Sequence, residues 1–215
     1  MTRLARECLR LFDTVTVSFY DGDTIEEKNL RRQNFCAAEV GQNKAEGLAF
    51  RLSTAWGIPI RAYSRHFSEK EFQSEYDTLT ILLGCVDTTK ARRSLHKALA
   101  HGNARNDSQT WLIDGGNLTT HGQVLIGNVV TDFNPQQSFL LGNVCQSLPA
   151  PALVHPELIR RERRPVSTPQ RSCAELAQAD PQSLTINSII ASHMADYLLR
   201  LIITKDLRRF ATYID

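Results

Sequence analysis

Residues 79–86, LTILLGCV, make a nearly continuous apolar run that stops at Asp87. The run has the length of a strand, and apolar side chains at successive positions suit a strand covered on both faces, as in the centre of a parallel sheet. Parallel strands need crossover connections, usually helices, and the flanking sequence supplies them. Before the run, Ala45, Leu48, Ala49, Leu52, Ala55 and Trp56 fall on one face of a helix over 42–56, which Gly57-Ile58-Pro59 ends. After it, Ala91, Leu95, Ala98 and Leu99 mark a second helix. Residues 15–20 (VTVSFY), 60–64, 111–114 and 123–130 read as further strands, and residues 29–35 as a polar, basic loop or short helix. Leu4, Cys8, Leu11 and Phe12 recur at helical spacing, as do Ile190, Met194, Tyr197, Leu198, Leu201 and Ile202 in a long C-terminal helix. Strands alternating with helices give an α/β fold with a right-handed, mostly parallel sheet flanked by helices.

Composition narrows the function classes. A hydrophobic fraction of 42% over 215 residues is enough for one proper core. A formal net charge of +2 is too balanced for electrostatic nucleic-acid binding. No apolar stretch is long enough to span a bilayer, and residues 1–12 carry charges where a signal peptide needs an apolar centre. Cys8, Cys36, Cys85, Cys145 and Cys173 form no C-x-x-C pair, so the expectation is free thiols in a reducing, cytoplasmic compartment and no structural zinc. Cys36 and Cys85 read as packing residues. Residues 147–170, rich in Pro and Arg, read as a crossover loop, with the basic run at 160–164 a solvated surface.

In open α/β sheets, ligands sit beyond the carboxyl ends of the strands. Asp21, Asp87 and Asp114 each stand at the predicted end of one. Residues 21–44, DGDTIEEKNLRRQNFCAAEVGQNK, hold three spaced motifs: D-x-D (Asp21, Asp23), N-x-x-R-Q (Asn29, Arg32, Gln33) and G-x-x-K (Gly41, Lys44). One aspartate at a strand end is often only a turn residue, and one Arg or Lys is usually surface. Six such residues at these spacings resemble the E1-like activating enzymes of the ThiF/MoeB/HesA type. Asp87 and the Asp114…Gly122-Gln123-Val124 stretch extend the resemblance over most of the chain, though Thr88 stands where the family usually has Asn.

The resemblance implies a Rossmann-like fold and ATP-dependent adenylation of the C-terminal carboxylate of a small ubiquitin-like or sulfur-carrier protein, with ATP and Mg²⁺ as cofactors and a homodimer as the assembly. It implies roles too. Arg32 and Lys44 would place positive charge on the phosphates, Asp21 and Asp23 would border the nucleotide with Asp21 on the ribose, Asn29 and Gln33 would orient phosphate, and Asp87 would hold Mg²⁺. The chemistry agrees, because charge developing on a phosphoryl group needs cations placed beforehand. Cys173, in Ser172-Cys173-Ala174-Glu175, matches the family's S/T-C-x-E stretch; it is either an acyl acceptor or a buried, inert thiol. Cys145 stands near the start of the family's zinc pair, but Leu148 replaces the second cysteine. Residues 149–171, with Leu153 to Leu158 (LVHPEL), are also similar to ThiF-family members of a plasmid-borne bacterial gene cluster, the PRTRC system. His155 reads as an incidental loop residue.

The family opens with a strand and a G-x-G-G-x-G phosphate loop, whereas no glycine here precedes Gly22. The expectation is a single domain over 1–215 that is incomplete at its N-terminus, lacking the first strand and glycine loop. The alternative is a non-catalytic E1-fold module that binds a partner. A nicotinamide-dependent oxidoreductase is disfavoured, since neither G-x-G-x-x-G nor a catalytic Tyr/Lys pair is present.

Overall fold

The computed structural model describes residues 2–31, 33–73, 77–104, 109–117, 121–140, 144–160 and 185–215. Among them, strands β1 (Val17–Tyr20) and β2 (Ile60–Tyr63) pair in parallel as a two-stranded sheet. A four-stranded sheet runs in the order β3 (Leu79–Gly84), β4 (Gln109–Asn117), β5 (Gly122–Gly127), β6 (Ala211–Ile214). Its β3–β4 pairing is parallel, and β5 and β6 join antiparallel. The helices are α1 (Thr2–Leu11), α2 (Lys44–Trp56), α3 (Thr89–Asn103), the single turn α4 (Pro151–Val154) and α5 (Ile186–Ile202). The expected α/β class is observed, with parallel strands flanked by helices. No helix among the described residues is long and apolar enough to cross a membrane.

The period-two alternation of β4 builds the core. Trp111 and Ile113 face one side, where they pack with Val124 and Ile126 of β5, Ile190, Met194 and Tyr197 of α5, and Cys8 of α1. Leu112 faces the other, meeting Leu82 of β3, Leu95, Ala98 and Leu99 of α3, and Ala150. Each large side chain fully withdrawn from water contributes about 1.5–3 kcal/mol, so the sheet is held from both faces. The small sheet is tied to this body through aromatic rings: Tyr20 stacks on Tyr63 at 4.4 Å, Phe67 meets Tyr20 edge-on at 5.4 Å, and Phe67 and Phe72 pack on the cluster under α3.

Three expectations need correction. The apolar run of β3 predicts a central strand, yet β3 pairs only with β4 and is an edge of its sheet among the described residues. Its two faces are covered, by Ile81 in one core and Leu82 in the other, while Leu79 and Leu83 remain 40% and 39% exposed. Asp114, expected at a strand end, lies inside β4, which continues through Gly115 and Gly116. These glycines act as close-approach residues: a Cβ at Gly115 would stand 2.6 Å from Met194 Sδ, and one at Gly116 would stand 2.9 Å from an Arg92 nitrogen. Cys36, expected to pack, is exposed. The opening helix forms as expected, but Leu11 and Phe12 face solvent. The 147–160 part of the predicted crossover loop is ordered by α4, a 3-10 turn over Pro156–Ile159, and two donations from the Arg93 guanidinium to the Ile159 carbonyl, at 3.1 and 2.8 Å.

Candidate functional site

The D-x-D and G-x-x-K motifs meet at the carboxyl end of β1. Asp21 Oδ1 accepts from the Asp23 N–H at 2.9 Å, which turns the chain sharply after the strand. Gly41 carries the second turn with φ of +89°, open to glycine at no steric cost. The two turns are fastened to each other by backbone bonds, Gly41 N–H to Ile25 and Lys44 N–H to Asp23. As a result Lys44 Nζ lies 3.0 Å from Asp23 Oδ2. The lysine side chain is 15% exposed and the aspartate 59%.

Asn43 organises this junction, and the sequence reading passed over it. Its Oδ1 accepts from the Ala45 and Glu46 N–H groups, capping α2, and its Nδ2 donates to the carbonyls of Asp21 and Asp23 at 2.8 and 3.0 Å. The available signal was an Asn immediately before a helical pattern, a helix-start residue. Two N-terminal N–H groups of α2 are thereby occupied, so Lys44 rather than the free backbone is the donor an anion meets first there. The imidazole of His66 also borders the turn: a Cβ on Gly22 would stand 2.9 Å from its Nε2.

Of the N-x-x-R-Q motif, Asn29 is buried and its Oδ1 accepts from the Glu26 N–H at 2.9 Å, inside a 3-10 turn over Glu27–Arg31. Its carbonyl accepts from the half-buried Gln33. Asn29 thus shapes the loop, and one of its side-chain atoms is committed to that task. Glu39, buried, accepts from the Cys36 N–H at 2.7 Å and pairs with Arg51 Nη1 at 3.0 Å, binding the loop to α2. Arg32 and Cys173 lie outside the described residues.

A second cluster lies at the C-terminal end of β3. Asp87 is exposed there, one residue before Thr88, whose Oγ1 caps α3 through the Ala91 N–H. Asp114 is 2% exposed and its Oδ2 pairs with Arg92 Nε at 3.1 Å. Burial pushes the Asp114 carboxyl above its ordinary range, and Arg92 opposes that rise. Gly84 makes room, since a Cβ there would stand 2.9 Å from Asp114 Oδ1. Cys85 is exposed as a residue, but its Sγ turns inward to 3.9 Å from Met194 Sδ. Burial of the thiol, and secondly the charge of Asp114, push it up to about 11, so it stays a thiol at neutral pH. Cys145 is likewise raised to about 11 by burial. Arg92 is the other residue the sequence reading missed. A cation in the first turn of a helix opposes the helix dipole, which marks it as needing a carboxylate partner.

The family model for the ThiF family matches residues 7–214. The chain belongs to the ThiF family. A search of the curated proteins finds no match. ThiF-family proteins are E1-like: in general they bind ATP and Mg²⁺ and adenylate ubiquitin-like or sulfur-carrier proteins. This ThiF-family chain brings residues of the D-x-D and G-x-x-K motifs together at β1 and α2, while Asp87 lies after the end of β3.

Proposed function

We propose that this chain binds MgATP at the Asp21–Asp23–Lys44 junction and adenylates the C-terminal carboxylate of a small ubiquitin-like or sulfur-carrier protein. The observation that carries the reading is the Lys44–Asp23 pair, held at the carboxyl end of a parallel strand and the start of a helix. The carboxyl ends of strands are where open α/β sheets take ligands, and Lys44 supplies the positive charge there. The pair is a resting arrangement in which Asp23 is largely exposed, so water can take over the carboxylate when phosphate replaces it at Lys44. Lys44 can therefore pass from Asp23 to phosphate oxygens at little cost.

Asp21, at the strand end, suits the ribose hydroxyls, and Arg32 suits bidentate grip of phosphate. Asn29 and Gln33 hold the loop that would carry Arg32. Asp87 suits Mg²⁺, which keeps most of its waters and takes one or two carboxylates besides phosphate oxygens, so no larger protein cage is required. When bound, that ion neutralises charge on the phosphates. Cys173 is the acyl acceptor on this reading, and a homodimer is the assembly. Within the family, the 153–158 stretch supports the PRTRC-type grouping.

Calorimetric titration of the chain with MgATP tests the proposal. Micromolar binding that Arg32→Ala and Lys44→Ala abolish is the expected result, followed by ATP–pyrophosphate exchange on adding a sulfur-carrier protein. A carrier bound equally well with and without ATP, and no heat from MgATP, would replace the proposal with a non-catalytic partner-binding module.

A further inference from the structure

Away from that junction, three side chains converge where β6 passes the 149–160 segment. His155 Nδ1 lies 2.9 Å from Glu157 Oε1, and His155 Nε2 lies 2.7 Å from Tyr213 Oη. An ionised carboxylate only accepts, so Nδ1 carries a proton; in the neutral imidazole Nε2 is then the acceptor, and the Tyr213 hydroxyl donates to it. Glu157 is held below the ordinary carboxylate range by its own backbone N–H first and His155 second, which keeps it an acceptor. Nucleophile, base and orienting carboxylate in hydrogen-bond series is the arrangement that activates a hydroxyl.

The surroundings separate this hydroxyl from the other tyrosine hydroxyls among the described residues. Tyr213 is 57% exposed, and its backbone is fixed by pairing with Gln123 of β5. The His155 ring meets its ring edge-on at 5.9 Å, so the base has a set position. Tyr197, by contrast, is fully buried and its phenol bonds Thr212 Oγ1 at 2.8 Å, with neither base nor access. Tyr20 and Tyr63 stack on each other. The trio's one formal negative charge sits on Glu157, with Arg160 near enough to help hold that carboxyl ionised.

We propose that Tyr213 is a nucleophilic site that accepts an acyl group from an activated acyl donor, with His155 as general base and Glu157 as the residue that orients it. The phenol oxygen attacks the acyl carbon and the new O–C bond forms. The bond from that carbon to its leaving oxygen breaks, the leaving group departs with the electron pair, and the phenolic proton passes to His155 Nε2. Glu157 then steadies the imidazolium. This site is independent of the nucleotide reading and stands or falls without ATP.

The experiment treats the chain with p-nitrophenyl acetate at neutral pH, follows p-nitrophenolate release, and locates acetyl groups by peptide mass mapping. Tyr213 should acetylate at least about tenfold faster than Tyr63, and His155→Gln should slow it by about 100-fold, the scale of a positioned general base. Glu157→Gln should slow it less. Tyr213→Phe keeps the ring and should remove the fast phase while Tyr63 labels at its former rate, which serves as the check on folding. Equal rates at Tyr213 and Tyr63, a fast phase surviving Tyr213→Phe, or acetyl that stops on His155 would each overturn the proposal and leave the trio a tie between β6 and the 149–160 segment.

Discussion

Lys44 and Asn43 are neighbours with separable tasks. Lys44→Ala loses an ion pair with one largely exposed partner and the packing of a mostly buried stem, so it should change unfolding free energy in urea by about 1–2 kcal/mol while removing MgATP binding, and Lys44→Met, which keeps the stem, should recover stability but not binding. Asn43→Ala removes a helix cap and two donations to strand-end carbonyls, and should lose about 1–2 kcal/mol. Asn43→Ser restores the cap alone and should recover part of that loss, but not the nucleotide affinity that a displaced Asp21 forfeits. Asp114 makes a prediction of opposite character. Its folded carboxyl titrates above the ordinary value of 3.8, so the native state holds its proton over a window where the unfolded chain has released it. Stability from this group is therefore present below that value and declines as pH rises through the window. Removing the counter-charge with Arg92→Met raises the folded value further, so the decline should extend to higher pH than in the parent, read from urea midpoints across pH. At neutral pH the variant should lose about 3–5 kcal/mol, since it leaves a buried charge without its partner. An Arg92→Met profile parallel to the parent's would refute this account. The motif spacings made Asp21, Asp23 and Lys44 legible in the sequence, whereas Arg92 and Asn43 acquire their tasks from partners 22 and 20–22 residues away.

Most elements were legible from side-chain pattern: α2, α3 and α5 from helical spacing, and β1 from a β-branched and aromatic run. The position of β3 was not, and for a physical reason. An apolar run reports that both faces of a strand are covered, and Ile81 and Leu82 are indeed in two different cores. Which backbone lies on each edge is decided by main-chain hydrogen bonds, which leave no mark on residue type. The end of β4 was misread because Gly115 and Gly116 look like breakers, while here they let α5 and Arg92 approach the sheet. The glycines around β4 and β5 then divide by what they meet. A Cβ at Gly115 meets side-chain atoms of α5, the flexible end of Met194 at 2.6 Å and Ile190 Cγ2 at 2.9 Å, so Gly115→Ala should cost about 1–3 kcal/mol. A Cβ at Gly127 meets the Pro149 carbonyl oxygen at 2.0 Å, a backbone atom that cannot turn aside. Gly127→Ala should be the more damaging of the two in thermal unfolding, and no side-chain truncation nearby should rescue it.

At the scale of the molecule, the two sheets differ in how firmly they are held. β4 and β5 are buried between α5 and α3, while β1 and β2 are four-residue strands with half-buried or exposed side chains. Local opening follows apolar contact, so amides of β1 and β2 should exchange with deuterium faster than those of β4 and β5. The proposed nucleotide site draws on both parts: Asp21 and Lys44 belong to the weaker sheet and its helix, Asp87 to the turn after β3. A ligand that bridges them should stabilise the chain by RT ln(1 + [L]/Kd), about 2.7 kcal/mol at a hundredfold excess over Kd. It should also slow exchange in β1, in the first turn of α2 and in the first turn of α3 together. Asp87→Ala then separates the contributions. If one nucleotide spans the sheets, the variant should keep protection at β1 and α2 in MgATP but lose it at the start of α3, with weaker binding. Protection confined to β1 and α2 in the parent as well would mean that Asp87 takes no part, and the metal role assigned to it would have to move to another carboxylate.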